Sequence, residues 1–187
     1  LARQIGNDAQ AGQALFSQGL AALAERSYDS GMQVLERGMV VYPDQGQVTE
    51  ILTAQGLLAF AQLQRGNPTP AKRLLHQALT SVHERRDSLA AILILGIVAL
   101  VLADQREDFR AICAWRVIWR LSPPLQDAVW IKKLYGDRLS GMYDALPEKD
   151  LERIEAHLQK NSMWDEAGTL LEFVTAEDWG HPSRETH

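Results

Sequence analysis

The chain has 187 residues, a formal net charge of −5, a hydrophobic fraction of 46% and a charged fraction of 23%. That length suits one domain or one repeat array, and the apolar content is enough for a packed core. The acidic balance excludes duplex DNA as the main partner, because phosphate binding needs clustered Lys and Arg.

In chain order, Leu1-Ala2-Arg3-Gln4 turns polar at once, so no signal peptide is expected. The chain does not begin with Met, and it reads as a piece of a longer protein. Helical periodicity marks helices over 9–25, 30–41, 48–64, 70–85, 88–104, 107–121, 125–143, 147–160 and 163–175, and no window sustains the alternation of a strand. Arg65-Gly66-Asn67-Pro68 is a breaker, and Thr69-Pro70 after it reads as an N-cap followed by Pro in the first helical turn. Leu89 to Ala103 is 15 consecutive apolar residues bracketed by Asp87 and Asp104. A membrane span needs about 20, so this is expected to be a buried core helix. Cys113 is the single cysteine and lies in an apolar helix. It reads as a buried, inert thiol, and its solitude fits a reducing cytoplasm. Leu146-Pro147-Glu148 opens another helix with acids in its first turn, and Ser162 with Asp165 makes a capping box for the last one. The polar tail 176–187 is expected to fray.

Charge is uneven along the chain. Residues 65–120 hold nine Lys/Arg against five Asp/Glu, and residues 144–178 hold ten Asp/Glu against three Lys/Arg. This reads first as two solvated helix faces of different composition.

A repeat is visible. The first copy is Gly19, Tyr28, Gly31, Leu35, Gly38 and Pro43; the second is Gly56, Ala71, Leu75 and Ala78; the third is Gly96, Ala111, Trp115, Ile118 and Pro123. Small residues let two helices cross closely, the large residue four positions on fills the gap beside them, and Pro ends the second helix. Over roughly residues 9–123 this pattern resembles the tetratricopeptide repeat family, whose unit is 34 residues. Taking Gly19, Gly56 and Gly96 as equivalent gives steps of 37 and 40, so the second and third copies read as stretched. The resemblance implies an α-α superhelix of three helix-turn-helix pairs over 1–123, with 124–175 as extra C-terminal helices that do not repeat the pattern cleanly.

The C-terminal helices present Leu151, Ile154 and Leu158, then Trp164, Ala167, Leu170, Leu171 and Val174. This stretch resembles the helical sensor end of large bacterial LuxR- and MalT-like signal-responsive regulators. That likeness implies transcriptional or signalling regulation and carries over no catalytic residue.

In the tetratricopeptide family the first helix of each pair lines a concave groove. Carried onto this chain, the groove positions are Gln13, Phe16, Ser17 and Leu20, then Glu50, Thr53, Leu57 and Phe60, then Leu93 and Ile97. The packing positions are Gly19, Gly31, Gly38, Gly56, Ala71, Ala78, Gly96 and Ala111. The groove is apolar and lacks the Lys, Arg and Asn with which the family clamps a peptide carboxylate. Helix 88–104 is apolar all round and must be covered on every side. The covering element is the C-terminal helices, a second copy of the chain in a homodimer, or a partner's amphipathic helix.

Signatures of chemistry are missing. His76 and His83 are seven positions apart, about 10 Å along a helix, too far for one metal ion. There is no phosphate-binding Gly-rich loop and no Gly-x-Ser-x-Gly elbow. Trp115 and Trp119 with Arg116 and Arg120 could stack bases, but core packing explains Trp115 better. The expectation is therefore a cytoplasmic, non-catalytic module without cofactor or metal, off the membrane and off nucleic acid. It would bind a protein or peptide segment, including another domain of the same polypeptide. The alternative is a small-effector domain with a closed apolar cavity under helix 88–104, its polar groups drawn from Thr53, Gln55 and Tyr135.

Overall fold

The computed structural model describes residues 2–41, 48–121 and 137–175. Pro43, Ser122-Pro123-Pro124, Tyr135, the first part of expected helix 125–143 and the tail 176–187 lie outside the described residues. Within them the chain is all helical: α1 (Ala2–Ala24), α2 (Tyr28–Val41), α3 (Val48–Gln64), α4 (Pro68–Arg85), α5 (Ser88–Asp104), α6 (Asp108–Leu121), α7 (Asp137–Asp144), α8 (Glu148–Lys160) and α9 (Met163–Thr175).

The element boundaries keep one register. First helices end at Ala24, Gln64, Asp104 and Asp144, and second helices begin at Tyr28, Pro68, Asp108 and Glu148, in constant steps of 40 residues. The turns repeat too. Arg26, Gly66 and Arg106 adopt left-handed φ values of 60°, 77° and 62°. Each is followed by a residue whose N–H reaches back five positions: Ser27 to the Ala22 carbonyl at 2.8 Å, Asn67 to Gln62 at 2.9 Å and Glu107 to Leu102 at 2.9 Å. This closes the orphan carbonyls at each helix end and reverses the chain in three residues. In the fourth turn Leu146 donates to the Tyr143 carbonyl at 3.1 Å, as Arg106 does to Ala103, but the next residue is Pro147, which has no N–H to give.

This register corrects the one expected from the glycines. Gly19 is not the counterpart of Gly56 and Gly96; Phe16 is, and Gly19 corresponds to Ala59 and Ala99, both fully buried. No copy is stretched, and the step of 40 passes through α7 and α8, where a break was expected. Helix ends and turns fix the period, whereas small residues serve two different contacts. Gly19 and Gly31 face their own hairpin: a Cβ on Gly19 would sit 2.6 Å from Leu35 Cγ, and one on Gly31 2.6 Å from Leu23 Cδ2. Gly38 lies over α1, where a Cβ would sit 3.3 Å from Leu15 Cβ. Gly56 instead faces the next hairpin, where its Cβ would come within 2.9 Å of Ile97 Cδ1. Ala71, Ala78, Gly96 and Ala111 are buried.

Packing follows chain order. α1 pairs with α2, α3 with α4 and α5 with α6, while α3 also touches α2 and α1, and α5 touches α4 and α3. α5 has the bounds expected of the apolar run, and Ala90, Ala91 and every residue from Ile94 to Ala103 are buried. Each large aliphatic side chain so covered contributes about 1.5–3 kcal/mol. Asp87 caps this helix, its Oδ1 accepting from the N–H groups of Leu89 (3.1 Å) and Ala90 (3.0 Å), while Oδ2 accepts from the Thr49 hydroxyl on α3 (2.8 Å). α4 starts earlier than expected. Pro68 and Pro70 both fall in its first turn, where a missing N–H costs nothing, and Asn67, not Thr69, holds the cap position. The Asn67 side chain makes no cap bond and donates instead to Gln62 Oε1 at 3.0 Å.

Candidate interaction surface

One set of first-helix positions shows how burial changes along the array. In α1 these are Gln13, Ala14, Ser17, Gln18 and Ala21, all exposed. One step on, in α3, they are Thr53, Ala54, Leu57, Leu58 and Ala61, all buried. In α5 they are Leu93, half-buried, and Ile94, Ile97, Val98 and Val101, buried. A preceding hairpin packs on α3 and on α5, whereas α1 has none among the described residues, and its polar and small side chains match that exposure.

The expected groove is therefore not an open apolar trough. Leu20, Thr53, Leu57 and Ile97 are 8%, 1%, 1% and 0% exposed, so a partner cannot touch them without rearrangement. Gln13 and Ser17 are exposed, and Phe16, Glu50, Phe60 and Leu93 are half-buried. Leu89, one turn before Leu93, is 52% exposed. The Thr53 hydroxyl is spent on the Thr49 carbonyl at 2.7 Å. Gln55 has a buried Oε1 with no partner among the described residues.

The C-terminal helices take the opposite side. α9 packs on α4, α6 and α5, α8 packs on α6, and α7 packs on α6 and α5. α8 and α9 pack mainly on the second helices α4 and α6, with α5 the first helix that α7 and α9 also reach. Their apolar contacts come from Ile154, Leu158, Met163, Ala167, Leu170 and Val174, all buried. Four arginines clamp the junction by stacking on aromatic rings: Arg86 on Trp164 (5.0 Å to the centroid), Arg110 on Phe173 (4.4 Å), Arg116 on Tyr143 (4.6 Å) and Arg153 on Phe109 (4.1 Å). Arg116 also pairs with Glu155 at 2.9 Å. Trp115 is 5% exposed, with Trp119 at 5.1 Å and Tyr143 at 6.1 Å between ring centroids, so its faces are occupied by the protein.

The capping box at α9 forms as expected. Ser162 N–H donates to Asp165 Oδ2 at 2.7 Å, and Asp165 N–H donates to Ser162 Oγ at 3.3 Å. The Ser162 hydroxyl, donating to Asp165 Oδ2 at 2.6 Å, and then the Ser162 N–H hold the Asp165 carboxyl below the usual carboxylate range. Behind it lies a feature the sequence did not announce: Glu166 is 3% exposed and bonded to His157 Nε2 at 2.9 Å. Cys113 sits nearby, 1% exposed, and burial first, then the Glu166 charge, pushes its thiol up to about 12. A protonated, covered thiol is inert. Among the described residues no group of three His, Cys, Asp or Glu is placed to hold a metal ion, and no described helix is long and apolar enough to cross a membrane. A cleft of about 440 Å³ opens between the ends of α6 and α8 and the start of α9, lined by Val117, Arg120, Leu158, Asn161, Ser162, Met163 and Trp164.

No family model matches the chain, and no curated protein and no solved structure matches it either.

Proposed function

We propose that this chain is a non-catalytic protein-interaction or sensor module, the helical-repeat portion of a bacterial transcriptional or signalling regulator. The observation that carries this reading is the constant 40-residue register combined with the side that the C-terminal helices occupy. Stacked identical hairpins present an extended surface, and such surfaces hold polypeptide segments. With α8 and α9 on the second-helix side, the first-helix row keeps Gln13, Phe16, Ser17, Glu50, Phe60 and Leu93 at least partly on the surface.

The tetratricopeptide likeness belongs to this reading as one version of it. The small-large-small packing agrees with that family. The unit here is longer than 34 residues by about six; its first helices α3 and α5 have 17 residues each and its second helix α4 has 18. The regulator assignment rests on the likeness of the Leu146-Pro147-Glu148 stretch and the Trp164-bearing last helix.

Capture from a bacterial lysate with chemical cross-linking and mass spectrometry tests the reading. Leu93→Arg is the informative variant, since Leu93 is half-buried beside exposed Leu89. Thr53→Arg is not, because Thr53 lies in the core. The expected result is a protein cross-linked to the α1–α3–α5 row of the wild type and lost from a Leu93→Arg protein of unchanged helicity. Equal capture by both, or no specific capture, overturns the proposal.

A further inference from the structure

α9 covers a surface that the register leaves open elsewhere. Thr80 of α4 is one 40-residue step from Val40 of α2. Val40 is 86% exposed, whereas Thr80 is half-buried and its Oγ1 is covered completely. α2 is flanked by α1 and α3, and α4 correspondingly by α3 and α5, so the additional cover on α4 is α9. α6 shows the same change beneath α8 and α9: Cys113 is buried where its equivalents Gln33 and Arg73 are exposed. α9 therefore occupies a seat on α4 and α6 that fits one amphipathic helix, and fills it with Met163, Ala167, Leu170 and Val174.

The fit is incomplete at the middle of α9. Gly168 faces His83, and a Cβ there would lie 3.5 Å from Cε1 and 3.9 Å from Nδ1, ordinary contact distances. Inside the array, a Cβ on Gly19 or Gly31 would come within 2.6 Å of a packed side chain, and one on Gly56 within 2.9 Å. α9 thus sits on α4 more loosely than the array's helices sit on one another. Beneath it, His83 Nδ1 and Thr80 Oγ1, about one turn apart on α4, are buried without a hydrogen-bond partner among the described residues. A buried polar atom left unbonded carries its full desolvation cost, which a better-matched cover would recover. Gly168 offers no group to either atom, and it weakens α9 as a helix. α9 is held instead toward its ends, by Arg86 on Trp164 and His157 on Glu166 at one and by Arg110 on Phe173 at the other.

We propose that α9 is a displaceable cover over a helix-docking seat, and that the partner taking the seat is an amphipathic helix with the apolar spacing of α9 and a hydroxyl-bearing residue in place of Gly168. That hydroxyl donates to His83 Nδ1, which α9 leaves unbonded. The incoming helix and α9 compete for one face, so the seat is available in proportion to the opening of α9. It lies on second helices, apart from the row of Gln13, Glu50 and Leu93, so neither surface depends on the other.

Two measurements on the whole chain test this. In hydrogen–deuterium exchange, protection factors in the middle of α9 should be at least about tenfold lower than in α3, through an opening that leaves α3 protected. Gly168→Ser should raise α9 protection, and a factor of about two to ten of that gain should vanish in a His83→Leu background, where the hydroxyl finds no acceptor. The cycle cancels the change in helix propensity. In the second measurement, a fluorescent peptide of residues 161–175 carrying Gly168→Ser is titrated onto the chain. It should bind the wild type saturably and the Gly168→Ser chain at least about twofold more weakly, because that chain's own α9 holds the seat more tightly. Equal protection of α9 and α3, or absence of coupling between positions 168 and 83, overturns the proposal. So does a peptide that fails to bind the wild type or binds both chains equally.

Discussion

Gln64 and Asp104, the last residues of α3 and α5 and one 40-residue step apart, are joined by a hydrogen bond from the Gln64 amide to the Asp104 carboxylate. The bond belongs to a ladder along the turn edge: the Tyr28 hydroxyl donates to Gln64 Oε1 at 3.4 Å, and Arg138 of α7 donates to the other oxygen of Asp104. Equivalent positions of successive hairpins are thus tied directly to one another. The groups are partly solvated, so the contribution is small. Asp104→Ala is expected to cost about 0.5–1.5 kcal/mol in urea unfolding. A double-mutant cycle with Gln64→Ala should show coupling of at least a few tenths of a kcal/mol. Strict additivity would mean that the ladder is only a surface contact.

Gly56 sets the distance between the second and third hairpins. A Cβ there would lie 2.9 Å from Ile97 Cδ1 and 3.0 Å from Ile94 Cδ1, too close in a core whose residues are fully buried. Gly56→Ala should therefore destabilise by about 1–3 kcal/mol, despite the better helix propensity of Ala. Ile97→Val removes one of the two opposing methyls. It should cost about 0.5–1.5 kcal/mol alone and recover part of the loss in the Gly56→Ala background, measured by thermal or urea unfolding.

Asp87 joins three helices, capping α5 from the end of α4 while holding Thr49 of α3. The Ala90 N–H bond is the main cause of its lowered pKa; burial opposes it, and the Thr49 and Leu89 bonds and the Arg85 charge add to the lowering. A carboxyl whose folded pKa is depressed stabilises the fold above its unfolded value, and that stability is lost as pH falls through the folded value. Asp87→Ala is accordingly expected to cost about 1 kcal/mol at pH 7. The gap to the wild type should narrow as pH falls below the usual carboxylate range, followed by urea midpoints from pH 7 to pH 3. A gap independent of pH would assign the effect of the substitution to packing.

Cys113 reports on opening of the core. With its thiol pushed up to about 12 and 1% exposed, it should not react with a thiol reagent at pH 8 except through unfolding or local opening. Its labelling rate should rise with urea in step with unfolding. Fast labelling of the native protein would show that α6 is not sealed by α8 and α9.

Much of the array was legible from local signals. The apolar run between Asp87 and Asp104 gave the bounds of α5, because a capping carboxylate and the end of the apolar pattern are properties of adjacent residues. The Ser162–Asp165 box was legible for the same reason. The period itself was in the letters: Gly56, Gly96 and Gly136 are 40 apart. The glycine pattern obscures it, because Gly19 reads as the equivalent of Gly56 and Gly96 although it serves a contact inside its own hairpin.

The surface was less legible. Which first-helix residues stay accessible depends on whether another hairpin covers them. Ser17, Leu57 and Ile97 occupy one position in three copies, and only the polar one is exposed. The repeat pattern places Thr53 on the groove; packing makes it a core residue bonded to its own backbone.

The sequence by itself determined helix content, turn positions, the capped starts of α5 and α9 and the wholly apolar α5, since each depends on residues within about two turns of one another. Only the tertiary structure decided that α8 and α9 fold back over second helices, that His157 meets Glu166 and that the arginines find their aromatic partners. Those contacts join side chains brought together by the stacking of whole hairpins, and no local pattern encodes which residues then face each other.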